Sequence, residues 1–129
     1  MNAAATMRRT AALSLPKILL HLEGAVFFFG AIALYATQGG GWAAFVLLLL
    51  APDLAMVGYL VNPRVGSYAY NAVHTYAAPA VLAALSLAGQ WPVGGQLALI
   101  WFAHIGMDRT LGFGLKYPTE FKDSHLQRV

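Results

Sequence analysis

His104 and Asp108 stand four residues apart in one apolar stretch, and Asn71 and His74 stand three apart in another. On a helix each pair shares a face. Asp53 and Glu23 lie in two further apolar stretches, and Arg109 directly follows Asp108. A charge at membrane depth costs about 3 kcal/mol even on a lenient insertion scale, so such groups need partners or a purpose. Imidazoles and carboxylates from facing helices form a ligand set for zinc, manganese or iron. We therefore read Asp53, His74, His104 and Asp108 as candidate ligands of a divalent metal. Such an ion lowers the pKa of bound water and makes hydroxide near neutral pH. Glu23 or Asp108 would act as general base, and Arg109 would hold a phosphate or carboxylate headgroup. Tyr70, one turn before His74, and Asn71 are supporting candidates, as is His125 if the C-terminus folds back. Cysteine is absent, which excludes disulfides, thiolate zinc sites and cysteine nucleophiles.

These residues need elements to hold them. Four apolar stretches run over about 14–37, 41–61, 67–87 and 91–112. Each approaches the ~20 residues that cross a bilayer core as a helix. Gln38-Gly39-Gly40-Gly41, Asn62-Pro63-Arg64 and Gly89-Gln90-Trp91-Pro92 are turn sequences between them. Connections this short predict an all-α, four-helix transmembrane bundle, antiparallel and up-down. Pro79 predicts a kink one turn beyond His74. Residues 1–12 read as a flexible tail, 13–114 as the membrane domain and 115–129 as a polar cytoplasmic tail. At ~1.5 Å rise per residue, Glu23, Asp53, His74, His104 and Asp108 fall in one layer, roughly 6–15 Å from one membrane boundary.

The composition agrees. Of 129 residues, 59% are hydrophobic and 10% charged, whereas a soluble domain carries roughly a quarter charged residues. So short a chain cannot bury that much apolar surface in one core. The net charge of +3 is not a nucleic-acid signal once it is placed along the chain. Arg8, Arg9, Lys17, Arg64, Lys116, Lys122 and Arg128 all fall on one side of a four-span topology. That side is predicted to be cytoplasmic, with both termini there. The predicted location is the bacterial inner membrane, multi-pass.

The segments LEG (22–24), APDLAMVGYLVNPRVG (51–66), YNAVHTYAAP (70–79) and HIGMDRTLGFGLKYPTEFKDSHL (104–126) resemble domain-of-unknown-function family 4260. The resemblance covers all but the first dozen residues. It implies a small bacterial integral membrane protein and carries no activity with it. Pro52-Asp53 and His74-Thr75 are also similar to elements of membrane-bound metal-dependent hydrolases, by analogy of two dipeptides.

Together these readings predict a metal-dependent membrane hydrolase acting on a lipid-like or amphipathic substrate. A second class is metal-free acid–base catalysis, as in membrane terpene cyclases, with carboxylates as proton donors. A third is non-enzymatic: a proton- or ion-binding accessory protein, a homo-oligomer, or a hydrogen-bond network that only joins helices. Membrane lipid is the expected partner in each, and nucleic acid in none.

Overall fold

The structure, a computed structural model, describes residues 14–129. The expected N-terminal tail, 1–12, with Arg8 and Arg9, lies outside the described residues. The fold is all-helical; among the described residues the only β pairing is a single antiparallel bridge between Lys116 and Ser124.

Helix α1, Leu15–Thr37, starts where Ser14 accepts the Lys17 N–H and Pro16 occupies the first turn. Its N-terminal half packs on the last long helix through two glycines. A Cβ on Gly106 would lie 2.6 Å from the Gly24 carbonyl oxygen, and one on Gly24 would lie 2.4 Å from the Arg109 Cβ. Small residues thus let the two backbones touch, as in membrane helix pairs. His21 reinforces the contact with Nδ1 3.0 Å from the Thr110 carbonyl.

The expected single helix 41–61 is two elements. Helix α2, Trp42–Leu48, gives way to a 3-10 helix, Ala51–Leu60. Pro52 is the physical reason. It has no N–H, and its ring crowds the carbonyl of Leu48, four residues earlier. Asp53 N–H then bonds the Leu50 carbonyl at 3.1 Å, in the tighter pattern, and the Leu49 carbonyl loses its helical partner.

The expected helix 67–87 is also two elements, and it begins earlier. Asn62 caps helix α3, Pro63–His74, by accepting the Val65 N–H at 2.8 Å, so Pro63 opens the helix rather than ending a turn. Helix α4 is Ala77–Ala88. Between them Thr75 is extended, at φ −94 and ψ 140. Pro79 forbids the helical bond to Thr75, four residues back. The predicted kink is therefore a complete break, immediately after His74. Ala78 N–H bonds the Thr75 carbonyl, which leaves the His74 carbonyl free.

Helix α5, Pro92–Leu111, is continuous. It ends with Gly112 left-handed at φ 97, where Gly112 and Phe113 N–H close on the Arg109 and Asp108 carbonyls. α5 packs most extensively on α1 and also against α4, while the 3-10 helix packs on α3.

Residues 115–129 are not a loose tail. Lys116 bridges Ser124, Tyr117 N–H bonds the Asp123 carbonyl, and a short helix α6, His125–Arg128, buries Leu126 completely. Leu15–Thr37 and Trp42–Leu60 are long and apolar enough to cross a membrane, at 23 and 19 residues and mean hydropathy 1.9 and 2.0. Large apolar side chains such as Val26, Phe29, Leu47, Leu54, Leu60 and Leu87 are exposed.

Candidate metal centre

Two helix breaks and one intact helix bring four side chains to a point. Asp53 comes from the first turn of the 3-10 helix, His74 from the last residue of α3, and His104 and Asp108 from one face of α5. His74 Nε2 lies 3.2 Å from Asp53 Oδ1 and 3.4 Å from Asp108 Oδ2. His104 Nε2 lies 3.2 Å from Asp53 Oδ1 and 3.3 Å from Asp108 Oδ2. The two Nε2 atoms are 3.0 Å apart. The ligand atoms of all four residues lie within 4.8 Å of one another. Ligands bound at ~2.0–2.1 Å around a tetrahedral ion are roughly 3.3 Å apart, so the spacing suits a small divalent cation.

The tautomers sharpen the point. His74 Nδ1 is 2.8 Å from the Tyr70 carbonyl, and His104 Nδ1 is 2.6 Å from the Leu49 carbonyl. A carbonyl only accepts, so each Nδ1 donates its proton, and where the rings are neutral each turns an Nε2 lone pair inward. The centre is then four acceptors facing one another. Two imidazole lone pairs 3.0 Å apart repel unless a cation lies between them. Two carboxylates bring two negative charges, which a divalent ion balances.

The support is built from the breaks. The Leu49 carbonyl, freed by the Pro52 break, orients His104. The carbonyls at the end of α3 are tied to α5: Trp101 Nε1 donates to Val73 at 2.6 Å, and Arg109 Nη2 to His74 at 2.8 Å. Tyr70 stacks on the His74 ring with centroids 3.6 Å apart, and its hydroxyl donates to Asp108 Oδ2 at 3.2 Å. His74, His104 and Asp108 are buried, while the Asp53 side chain is 37% exposed. Asp53 and Asp108 border a cavity of about 240 Å³, walled by Met56, Tyr70, Phe113 and Phe121.

Other expected residues are placed differently. Glu23 is exposed and does not join the four, because α1 turns Gly24 toward α5 and Glu23 away. Arg109 is tied to the backbone through two of its five N–H groups: Nη1 and Nη2 donate to the Phe113 and His74 carbonyls. Asn71 supports the centre from a distance by gripping Lys116. Its Nδ2 donates to the Lys116 carbonyl at 2.8 Å and its Oδ1 accepts the Lys116 N–H at 2.6 Å. His125 folds back but stops at residue 115, where Nδ1 accepts the Leu115 N–H at 2.8 Å. Burial, then the charge of Arg109, push the His125 imidazole below its ordinary range.

The sequence marks Lys116 only as a topology signal. It is buried at 6% exposure, with Nζ 4.0 Å from the Phe121 ring centroid, 4.9 Å from Tyr70 and 5.5 Å from Phe113. Burial pushes its ammonium below the usual lysine range. Lysine position alone could not have revealed this, because the rings that surround it come from three separate segments.

Residues 17–129 match the family described as Domain of unknown function (DUF4260). The chain belongs to that family. No curated protein and no solved structure matches it.

Proposed function

We propose that this family member is a multi-pass protein of the bacterial inner membrane, with four spans and both termini cytoplasmic. In this reading Asp53, His74, His104 and Asp108 hold a divalent metal, zinc, manganese or iron, for hydrolysis of an amphipathic substrate. The single observation that carries it is the convergence of two Nε2 lone pairs and two carboxylate oxygens, with both Nδ1 protons fixed by backbone carbonyls. The apolar exterior and the two apolar spans support the membrane placement.

The ion would supply an acidified water, its pKa lowered toward about 7. The chain's own residues do the rest. Tyr70 holds Asp108 and His74 in place. Asp53 borders the cavity, and its Oδ2 makes no hydrogen bond among the described residues, so it replaces Glu23 as the proton acceptor. The aromatic wall seats the apolar part of a substrate that enters from the cytoplasmic side or from the inner leaflet.

Elemental analysis of detergent-purified protein tests this. About one metal ion per chain, lost in His104→Ala, is the expected result. A wild-type protein that stays metal-free after reconstitution with zinc, manganese and iron would sink the reading and favour metal-free acid–base catalysis.

A further inference from the structure

Lys116 is a largely buried cation beside the centre that feels the charge of Asp108 but forms no ion pair among the described residues. Among the described residues no carboxylate oxygen lies within 4.0 Å of its Nζ, and Nζ makes no hydrogen bond. The rings of Phe121, Tyr70 and Phe113 hold it by cation–π contact, and these same three rings wall the cavity at Asp53 and Asp108. Its backbone is fixed on both edges, by Asn71 on one and by the Ser124 bridge on the other. A buried charge without a counter-ion is costly, and a ligand that supplies one binds with that cost removed.

The local charge says what the ligand is. A divalent ion balances Asp53 and Asp108. The positive charges of Lys116 and Arg109 then stand without a carboxylate partner. Arg109 adds a second positive charge, with one N–H each of Nη1 and Nη2 donating to a carbonyl. A phosphate monoester carries about −1.5 to −2 at neutral pH and matches that excess. Lysine serves phosphate as a point charge.

We infer that the cavity takes the phosphate of a phosphate ester and that Lys116, packed against three of the rings that wall the cavity rather than lining it, supplies the positive charge that selects it. This rests on the metal-centre reading above. The phosphate belongs either to a soluble ester or to a lipid headgroup, and the two are separable by experiment.

Detergent-purified protein is loaded with cobalt(II), which is paramagnetic, and the ³¹P relaxation of added phosphorus compounds is followed. The probes are inorganic phosphate and dioctanoyl phosphatidate, each with wild type, Lys116→Met and Lys116→Arg. Saturable relaxation enhancement is expected in wild type, with affinity weakened about tenfold or more in Lys116→Met at unchanged cobalt per chain. Lys116→Arg should restore binding. If the apolar variant does not fold, Lys116→Gln makes the same comparison. Tighter binding of phosphatidate assigns the lipid source, and comparable affinities assign the soluble one. Cobalt bound at one per chain, with no saturable enhancement or with equal affinity in the charge-removing variant, overturns this inference alone. Failure to bind cobalt removes the metal reading and this inference with it.

Discussion

The α1–α5 pair and the two interrupted strands of helix beside it solve opposite problems. α1 and α5 are unbroken, and their backbones meet at Gly24 and Gly106. Every carbonyl in their interior has a helical partner, so this pair offers only side chains. The other two stretches are each broken by a proline, at Pro52 and Pro79. Each break frees a carbonyl at the depth of the four ligands. The Leu49 carbonyl turns His104, and the His74 carbonyl anchors Arg109. The rigid pair sets position and the broken pair sets orientation. Without the Pro52 break the Leu49 carbonyl would not be free to fix the His104 tautomer, whereas His74 takes its acceptor, the Tyr70 carbonyl, from one turn back in its own helix.

If that division holds, damage to the rigid pair is global and damage to the breaks is local. The largest effect belongs to Gly106→Leu. Its Cβ would lie 2.6 Å from the Gly24 carbonyl oxygen and from the Phe28 nitrogen, both backbone atoms that cannot step aside. A loss of about 3 kcal/mol or more is expected, with the metal site lost along with the fold. Gly30→Ala is the control, since nothing lies within 4 Å of its added Cβ, and its effect should stay within about 0.5 kcal/mol. Unfolding in mixed micelles reads both. Equal stability of Gly106→Leu and wild type would refute the close packing.

Next is Pro79→Ala. Restoring an N–H at this position lets α3 and α4 join, and it draws the Thr75 and His74 carbonyls back toward the helical ladder. Arg109 then loses one of its two acceptors and His74 its fixed position. Metal affinity should fall about 10–100-fold, the usual scale for an outer-shell change, while thermal stability holds or rises. Loss of stability with unchanged metal affinity would reverse the roles assigned to the two regions.

How much of this was legible in the residues divides along the same line. The cluster of four candidate ligands was readable because charged and imidazole groups are rare in apolar sequence and depth follows from counting residues. Gly24 and Gly106 are small residues of the kind that permit close helix approach, but nothing in the sequence says that they meet each other. The breaks were only half visible. Pro79 announced a disturbance, but an isolated proline in a membrane helix does not say whether the helix bends or stops. Pro52 sat inside an apolar run that masked the switch to a 3-10 helix. Arg109 looked free because one of its acceptors, the His74 carbonyl, is exposed only once the second break forms, and the other, the Phe113 carbonyl, only once α5 ends. The C-terminal segment was hidden for another reason: Asn71 holds Lys116 across 45 positions, and neither residue signals such a pairing.

A smaller effect tests the side chain that joins the two regions. Tyr70 stands on broken-side α3 and donates to Asp108 on intact α5. Tyr70→Phe keeps the stack on His74 and removes only the hydroxyl. Metal affinity should fall about tenfold, at the low end of outer-shell effects. An unchanged dissociation constant, measured by competition with a chelator, would show that the stack alone supports the centre.

The smallest expected effect lies in the C-terminal segment, which closes over the cavity. Two groups there titrate in separate windows. Burial, then the charge of Arg109, hold the His125 imidazole below its ordinary value of 6.5. A lowered folded-state value means that docking is fully supported above pH 6.5 and loses this contribution as pH falls through the folded value. Chemistry agrees, because a protonated Nδ1 can no longer accept the Leu115 N–H. Asp123 is held down to about 2, from 3.8, by its hydrogen bonds to Arg128 and then Thr119. Its contribution is present above pH 3.8 and is lost only as pH falls toward about 2. Acidification should therefore loosen this segment in two steps, the first from His125 and the second from Asp123. Hydrogen exchange at the Leu115 amide, corrected for its intrinsic pH dependence, follows both. His125→Gln should abolish the first step and leave the second. A first step that survives in that variant would assign it elsewhere, and would separate the closure of the cavity from the imidazole that holds the Leu115 amide.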